Sequence, residues 1–398
     1  MAQPQDSFRT IFLAFLRLGF TSFGGPVAHL GYFHAEFVTR RAWLTERGYA
    51  DLVALCQFLP GPASSQIGMG VGYARAGLPG ALAAWLGFTL PSAVAMILLA
   101  LGMQHWGSMP DGVLHGLKVV AVAVVAQAVW GMMQKLCPQV PHKLLMAGAT
   151  LFLLALPSAW SQIAVILAGA LIGRRLFAGQ ANPAHSPPIA QMSRRVALGL
   201  LLGFAVLLAG LPVLAASFEN ATLAMVDVFY RSGALVFGGG HVMLPLLQAE
   251  VVPPGWVDND TFLAGYGAAQ AVPGPLFTFA AFLGASADGP VNGWAGGMLA
   301  LVAIFVPAFL LVLGALPFWD RLRSSTAARA SLIGVNAAVV GLLLAALYDP
   351  VWTSAIHAPA DLMLAALALL ALMRFKAPPW AVVVLTALLG GLLQAWST

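Results

Sequence analysis

Two motifs occur once in each half of this chain, at nearly constant spacing. An arginine followed six residues later by Phe-Gly-Gly occurs at 17–25 and again at 231–239. A glutamine followed three residues later by Pro-Gly-Pro occurs at 57–62 and again at 270–275. An internal duplication constrains the architecture before any other feature, because both copies should adopt the same structural unit. We therefore expect two related halves.

The chain is too poor in charge to cover a water-facing surface. Of its 398 residues, 60% are hydrophobic and 8% are charged, whereas soluble proteins carry about 25% charged residues. Apolar runs such as 79–104 and 195–216 reach the roughly 20 residues that a membrane-spanning helix needs. Alternating strand patterns are absent, which argues against an outer-membrane barrel. The sequence predicts an all-α polytopic membrane protein.

Loop charges have opposite signs in the two halves. Arg40, Arg41 and Arg47 follow the first arginine motif, whereas the matching loop carries Asp258 and Asp260. Three further pairs of loops differ in the same way. Because Lys and Arg mark the cytoplasmic side, we predict two inverted-topology repeats, with the N-terminus inside and the C-terminus outside. The net charge of +5 therefore reflects topology, and we expect no nucleic acid partner.

The inverted topology also predicts a domain organisation. We assign the first repeat to 8–175 and a basic cytoplasmic linker to 176–194. A lone helix at 195–216 crosses the membrane and inverts the orientation, and the second repeat occupies 220–398.

Glycine and proline clusters interrupt the apolar runs at both motifs in each half. Proline removes a backbone donor, and in lipid such breaks occur only beside protein or a water-filled cavity. We therefore read 25–38, 47–60 and 61–75, with their counterparts, as short or re-entrant helices. Helix N-termini beside such breaks bind anions, and inverted repeats bring them together near the midplane. The alternative is that the clusters are packing kinks.

Arg17 and Arg231 indicate the charge of the ligand. Each lies in an apolar stretch, where a charge costs at least about 2.5 kcal/mol and usually serves a function. A planar guanidinium suits tetrahedral oxyanions. The alternative is a structural ion pair with Glu36 and Glu250, which also repeat. The two interpretations, anion binding and a structural ion pair, are compatible if the carboxylate releases the arginine when an anion binds.

Other polar residues near the motifs have two readings each. Glutamines could donate to an anion or satisfy broken backbone, Ser64 could donate or cap a helix, and His29 could couple transport to protons or be an ordinary buried histidine. The candidate substrate-binding residues are Arg17, Gly24, Gly25, Gln57, Pro60, Gly61, Pro62, Ser64, Lys118, Arg231, Gly238, Gly239, His241, Gln270, Pro273, Gly274, Pro275 and Asn336. Glu36, Glu250 and His29 are candidates for ion pairing or coupling. We expect no catalytic residue, metal or cofactor.

These motifs resemble the chromate ion transporter family in its long, two-domain form. The resemblance rests on 15–26 and 57–62 in the first half, on 237–242 and 270–275 in the second, and on 334–341. It covers nearly the whole chain apart from the linker. One departure between the copies is that Pro26 matches Gly240, which suggests that the halves are not equivalent at the substrate.

The resemblance implies chromate export from the bacterial cytoplasm across the inner membrane, giving chromate resistance and driven by the membrane potential or proton motive force. Sulfate, with the same shape and charge, is the natural competitor. Two alternatives stay open: a carrier for sulfate or another oxyanion, and an intramembrane enzyme acting on a phosphorylated lipid. The oligomeric state is also open, with a homodimer as one option.

Overall fold

All regular structure in the described part of the chain is helical. The computed structural model describes residues 6–105, 111–178 and 192–397. The α-helices are α1 (Phe8–Thr21), α2 (Gly25–His34), α3 (Glu46–Phe58), α4 (Ala63–His105), α5 (Asp111–Leu136), α6 (Val140–Ala155), α7 (Ala159–Leu176), α8 (Arg194–Phe218), α9 (Ala221–Leu235), α10 (Met243–Val251), α11 (Asn259–Ala269), α12 (Phe279–Ser286), α13 (Gly293–Ala315), α14 (Trp319–Ser324), α15 (Thr326–Ala346), α16 (Pro359–Met373) and α17 (Pro379–Ser397).

Five of these helices are long and apolar enough to cross a membrane, namely α4, α5, α8, α13 and α15, the last two with the short turns that follow them. Side chains on α8 are mostly exposed, as expected for a helix that faces lipid. The all-α polytopic fold that composition predicts is therefore confirmed.

The helices stop at all four Gly/Pro clusters. α1 ends before Gly24 and α3 ends before Pro60, while α9 ends before Gly238 and α11 ends before Pro273. After the second-half breaks the chain first forms short 3₁₀ turns, and only then α10 and α12. α2 instead continues into a π-helical turn at Ala35–Arg40.

The short helix expected at 61–75 ends where α4 is interrupted. Ala76 and Gly77 have non-helical backbone angles, and the following span begins after them. Gly77 has a φ of +63°, a backbone conformation that glycine adopts at little cost. The chain leaves the helical conformation for these two residues, so α4 consists of a short helix before the kink and a long one after it.

The packing of the two halves is reciprocal. In each half the first helix lies against a long one: α1 on α4, and α9 on α13. The last helix of each half packs on the other half, α7 against α15 and α17 against α5. A Cβ on Gly334 would lie 2.1 Å from the Gly169 oxygen, and one on Gly390 would lie 2.4 Å from the Gly112 oxygen. Glycines therefore let both pairs of helices approach closely, as is common in membranes.

Basic loops gather at one end of the molecule. Arg75 bonds Asp6, near the N-terminus, with Nε and Oδ2 2.6 Å apart. The guanidinium groups of Arg41 and Arg75 both lie over the Trp43 ring, at 5.0 and 5.7 Å. Loops that are distant in sequence therefore lie together at this end.

The opposite end carries the acidic loops. The part of α4 after Gly77 is about 40 Å long at 1.5 Å per residue, and Gln104 at its far end donates to the Ala285 carbonyl. Close by in sequence, the Asp288 amide donates to the Trp256 carbonyl at 2.8 Å. Asp258, Asp260 and Asp288 therefore lie at the end remote from Arg75.

Candidate functional site

The Pro-Gly-Pro breaks reach across to the Phe-Gly-Gly breaks of the opposite half. The Gly61 amide donates to the Val236 carbonyl at 2.7 Å, and the Gly274 amide donates to the Ser22 carbonyl at 2.9 Å. Ser22 and Val236 directly follow α1 and α9. The four interruptions thus form two reciprocal crossing points between the halves.

Only glycine fits at these crossing points. Gly61 has a φ of +117° and Gly274 a φ of +106°, which side chains rarely adopt. A Cβ would also lie 2.9 Å from Nε2 of Gln66 at the first position and 2.8 Å from Oγ of Ser92 at the second. Pro60, Pro62, Pro273 and Pro275 flank these glycines and restrict the backbone on either side.

The Phe-Gly-Gly breaks leave backbone donors without side-chain caps. α2 begins at Gly25 directly after Gly24, and the 3₁₀ turn of the second half begins directly after Gly239. Gly24 and Gly238 are exposed. The first amides of such a helix have no intrahelical partner, so α2 presents donors of the kind that anions bind.

Arg231 is held by two carboxylates. Its guanidinium donates to both oxygens of Asp227, one turn earlier on α9, and to Glu250 of α10 with Nη1 and Oε1 2.6 Å apart. All three side chains are mostly buried. A small cavity beside them is lined by Gln162, Ile163, Arg231, Ser232, Leu235, Leu246 and Glu250. The cluster carries one net negative charge when every member is ionised.

Arg17 lies in different surroundings from its counterpart. Its side chain is exposed on α1, and no ion pair to it occurs within the described ranges. Glu36 instead accepts hydrogen bonds from Arg40 and from Arg41, with Arg41 Nε and Glu36 Oε1 2.6 Å apart. The alternative pairing of Arg17 with Glu36 is therefore wrong, because nearer arginines in the basic loop take up this carboxylate.

These contacts set the ionisation of Glu36, which lies outside the five long apolar helices. Burial alone would raise the pKa of the Glu36 carboxyl. Hydrogen bonds and charge from Arg40 and Arg41 outweigh burial and lower the pKa below its ordinary value.

Lys118 links the two halves at the acidic end. Its ammonium lies 3.0 Å from the Asp260 carboxylate at the start of α11, and its side chain is 10% exposed. At the counterpart position, the Asn336 Oδ1 is buried without a hydrogen-bond partner among the described residues. The cation of Lys118 is therefore already partnered.

The paired glutamines and histidines also differ between the halves. Gln57 is exposed, whereas Gln270 is half-buried and its Nε2 is buried with no hydrogen-bond partner in the described chain. His241 Nδ1 lies 2.7 Å from the Tyr266 hydroxyl. His29 is 1% exposed and its Nε2 lies 3.2 Å from the Ser22 carbonyl. Ser64 is buried just after its break.

Sequence reasoning did not single out several residues that the structure places here. Ser22, Thr89 and Ser92 are almost fully buried near the second crossing point. Hydroxyls in apolar segments are common. Only the non-local contacts of Ser22 and Ser92 with Gly274, and the hydrogen bond from Ser92 to the Thr89 carbonyl, set these three apart. Asp227 precedes Arg231 by four residues, a spacing that places both on one helix face. That spacing could have identified the pair.

The described residues contain no group of three or more His, Cys, Asp or Glu side chains able to hold a metal.

Comparison with known proteins gives a consistent result. The family model described as "Chromate transporter" matches residues 9–174 and 223–391. An uncharacterized transporter of Methanocaldococcus jannaschii is 30% identical over 84% of this chain and 82% of its own length. A chromate transport protein of Pseudomonas aeruginosa is 28% identical over 89% of this chain and 84% of its length. One of Cupriavidus metallidurans is 28% identical over 94% and 90%. No solved structure matches this chain significantly.

Proposed function

Because this chain belongs to the chromate transporter family, we propose that it carries chromate out of the cytoplasm across the bacterial inner membrane and so gives chromate resistance. The family match confirms the resemblance seen in the motifs. The chain is a multi-pass membrane transporter and not an enzyme, since its matched relatives are transporters.

The reciprocal crossing of the Gly/Pro breaks supports transport through a shared central site. Secondary transporters bind substrate near the midplane, where half-helix N-termini from two repeats converge. Gly61 and Gly274 join each break to the opposite half, so a relative movement of the halves must change both crossing points together. Such coupling is what alternating access to one site requires.

The two polar ends support the proposed orientation. Basic loops around Arg41 and Arg75 lie together, and acidic loops around Asp260 and Asp288 lie at the remote end. If Lys and Arg mark the cytoplasmic side, the first end faces the cytoplasm. Equivalent loops of the two halves then lie on opposite sides, as inverted repeats require.

The membrane potential is sufficient to drive export. Moving a dianion out of a cell that is negative inside releases about 4.6 kcal/mol per 100 mV, which is twice the value for one charge. At about 1.4 kcal/mol per tenfold, this supports a gradient of roughly three orders of magnitude. A proton that moves inward in exchange would add to this driving force, and Glu36, Glu250 and His29 remain our candidates for ion pairing or coupling.

We propose that the two arginines act at different stages. Arg17 is exposed and unpaired within the described ranges, so it can meet an incoming oxyanion directly. Arg231 must first release Asp227 or Glu250, which makes its contribution conditional on a rearrangement of that cluster. The exposed Gly24 and Gly238 and the half-buried Gln270 complete the candidate contacts.

A sulfate carrier is the second candidate function. Backbone amides, an arginine and hydroxyls recognise shape and charge, which sulfate and chromate share. Sulfate then competes with chromate, and the preferred ion is a matter of relative affinity.

Flux in inside-out membrane vesicles tests the proposal. We expect chromate uptake that rises when the vesicle interior is made positive and that sulfate inhibits only in part. Vesicles without the protein should show no such uptake, and vesicles carrying Gly274→Ala should lose most of it. Strong sulfate flux without chromate flux would reassign the substrate, and absence of both would contradict oxyanion transport.

A further inference from the structure

Buried polar residues lie near both crossing points, but they come from different places in the fold. Beside Gly61 they are Ser64, Ser65 and Gln66, all at the start of the helix that follows the break. Around Gly274 lie Ser22, His29, Thr89 and Ser92, each no more than 1% exposed. The second-half residues at the matching positions are Val236, Met243, Phe305 and Ala308, all apolar. The two halves therefore share a backbone plan but differ in chemistry at this place.

Contacts establish which residues match. A Cβ on Gly19 would lie 3.0 Å from the Phe88 carbonyl oxygen, and one on Gly233 would lie 2.2 Å from the Ile304 oxygen. In the same way, Gly274 lies against Ser92, whereas Gly61 lies against Ala308. Phe88 and Ile304 are separated by the same number of residues as Ser92 and Ala308. The contacts in the structure therefore identify Ala308 as the counterpart of Ser92.

Contacts through the backbone of Ser22 and Gly274 bring these residues together. His29 donates from Nε2 to the Ser22 carbonyl, because a carbonyl can only accept, and its ring lies edge-on to Phe88 at 5.2 Å. The same Ser22 carbonyl accepts from the Gly274 amide. The Gly274 Cβ position is 2.8 Å from Ser92 Oγ and 3.3 Å from the Phe88 oxygen.

Several side-chain atoms of these residues have no hydrogen-bond partner within the described chain. They are Ser22 Oγ, Thr89 Oγ1 and His29 Nδ1. Ser92 Oγ donates to the Thr89 carbonyl at 3.1 Å. Buried polar groups are nearly always satisfied, so each exception calls for an explanation, such as a functional role. The unpartnered hydroxyls and ring nitrogen beside the Gly274 crossing point are such exceptions.

We propose that Ser22, His29, Thr89 and Ser92 form a subsite for the transported tetrahedral oxyanion beside the Gly274 crossing point. This inference rests on the proposed function and specifies where the substrate binds. Hydroxyl groups donate to oxyanions, and none of the four residues carries a carboxylate that would repel a dianion. The second half contributes the backbone of Gly274, which must withdraw from Ser92 before the anion can reach the hydroxyls.

Single-hydroxyl variants test the subsite. Ser22→Ala and Ser92→Ala each remove one donor, and we expect each to raise the KM for oxyanion flux in proteoliposomes about tenfold. Their double variant should also abolish the thermal stabilisation that sulfate gives to the detergent-solubilised protein. In the absence of anion, Ser22→Ala should unfold no earlier than the wild type, because it removes an unsatisfied buried group. Thermal unfolding measured without anion therefore separates loss of binding from loss of folding.

Ala308→Ser is the matched control, because it places a hydroxyl at the equivalent position of the second half. Its KM should stay within about twofold of the wild-type value. The inference is overturned if the double serine variant keeps the wild-type KM and sulfate stabilisation, since the hydroxyls would then hold only water. An equal KM increase in Ala308→Ser would also overturn it. If the wild-type protein neither carries nor binds chromate or sulfate, the proposed function fails as well.

Discussion

Arg17 and Arg231 occupy equivalent positions in the two copies of one motif but lie in opposite electrostatic surroundings. Arg231 neutralises part of the charge of Asp227 and Glu250 inside the protein, whereas Arg17 is exposed. Removing one member of a buried ion cluster leaves an uncompensated charge. Replacing the two arginines should therefore have different consequences.

We expect Arg231→Gln to lower the free energy of unfolding by about 3 kcal/mol or more. Arg17→Gln should change it by no more than about 0.5 kcal/mol but should raise the KM for the oxyanion. Thermal unfolding in detergent and flux in proteoliposomes measure the two effects. Equal losses of stability would show that Arg17 has a structural partner, and an unchanged KM in Arg17→Gln would remove it from the substrate path.

Glu36 provides a test that depends on pH. Its pKa is lowered in the folded protein because Arg40 and Arg41 outweigh burial. Such a carboxylate adds stability above its unfolded pKa of about 4.3, and this contribution is lost as the pH falls through the folded pKa. The wild type should be more stable than Glu36→Gln at neutral pH, and the difference should shrink on acidification below about pH 4.

Thermal unfolding at several pH values measures this difference. Glu46→Gln is the control, because the Glu46 side chain is 75% exposed and pairs with a partly exposed His34. Its stability should follow the wild type at every pH. A Glu36→Gln curve that also parallels the wild type would contradict a stabilising role for the Arg40 and Arg41 contacts.

The helix interruptions depend on glycine at the two crossing points. Gly61→Ala and Gly274→Ala place a side chain on a backbone with positive φ and against Gln66 or Ser92. We expect each variant to lose at least about 1 kcal/mol of stability and most of its transport. Gly131→Ala is the control, because Gly131 lies on α5 with open space around its Cβ position. That variant should be neutral or slightly stabilised, and a similar loss there would refute the argument.

The positions of the breaks could be predicted from sequence because proline and glycine act locally. Pro60 and Gly61 disrupt a helix wherever the rest of the chain lies. The partners of those breaks could not be predicted, since the Gly61–Val236 and Gly274–Ser22 bonds join residues far apart in sequence. For the same reason, the repeat motif suggested equal roles for both arginines, while their actual neighbours come from non-equivalent contacts.

At the scale of the whole molecule, Lys118 and Asp260 bridge the two halves at the acidic end. If this ion pair holds that end closed, its charges matter as a pair and not individually. Lys118→Asp should therefore impair transport, and adding Asp260→Lys should restore a large part of it. If Lys118 binds the anion directly, the exchanged pair should stay inactive. Flux in proteoliposomes for both single variants and the double variant separates these two roles.

The inverted arrangement predicts which side of the membrane each loop faces. Cys56 and Cys137 are buried, so both can be replaced by alanine to give a background for labelling. In that background, Arg47→Cys reports the first turn of α3, next to the basic loop. Pro254→Cys reports the equivalent loop before α11, and both positions are exposed. A membrane-impermeant maleimide applied to intact cells should label only Pro254→Cys, because the basic end faces the cytoplasm. Arg47→Cys should react only after permeabilisation. Labelling of both positions from the same side would refute the inverted repeat, since inversion requires equivalent loops to emerge on opposite faces of the membrane.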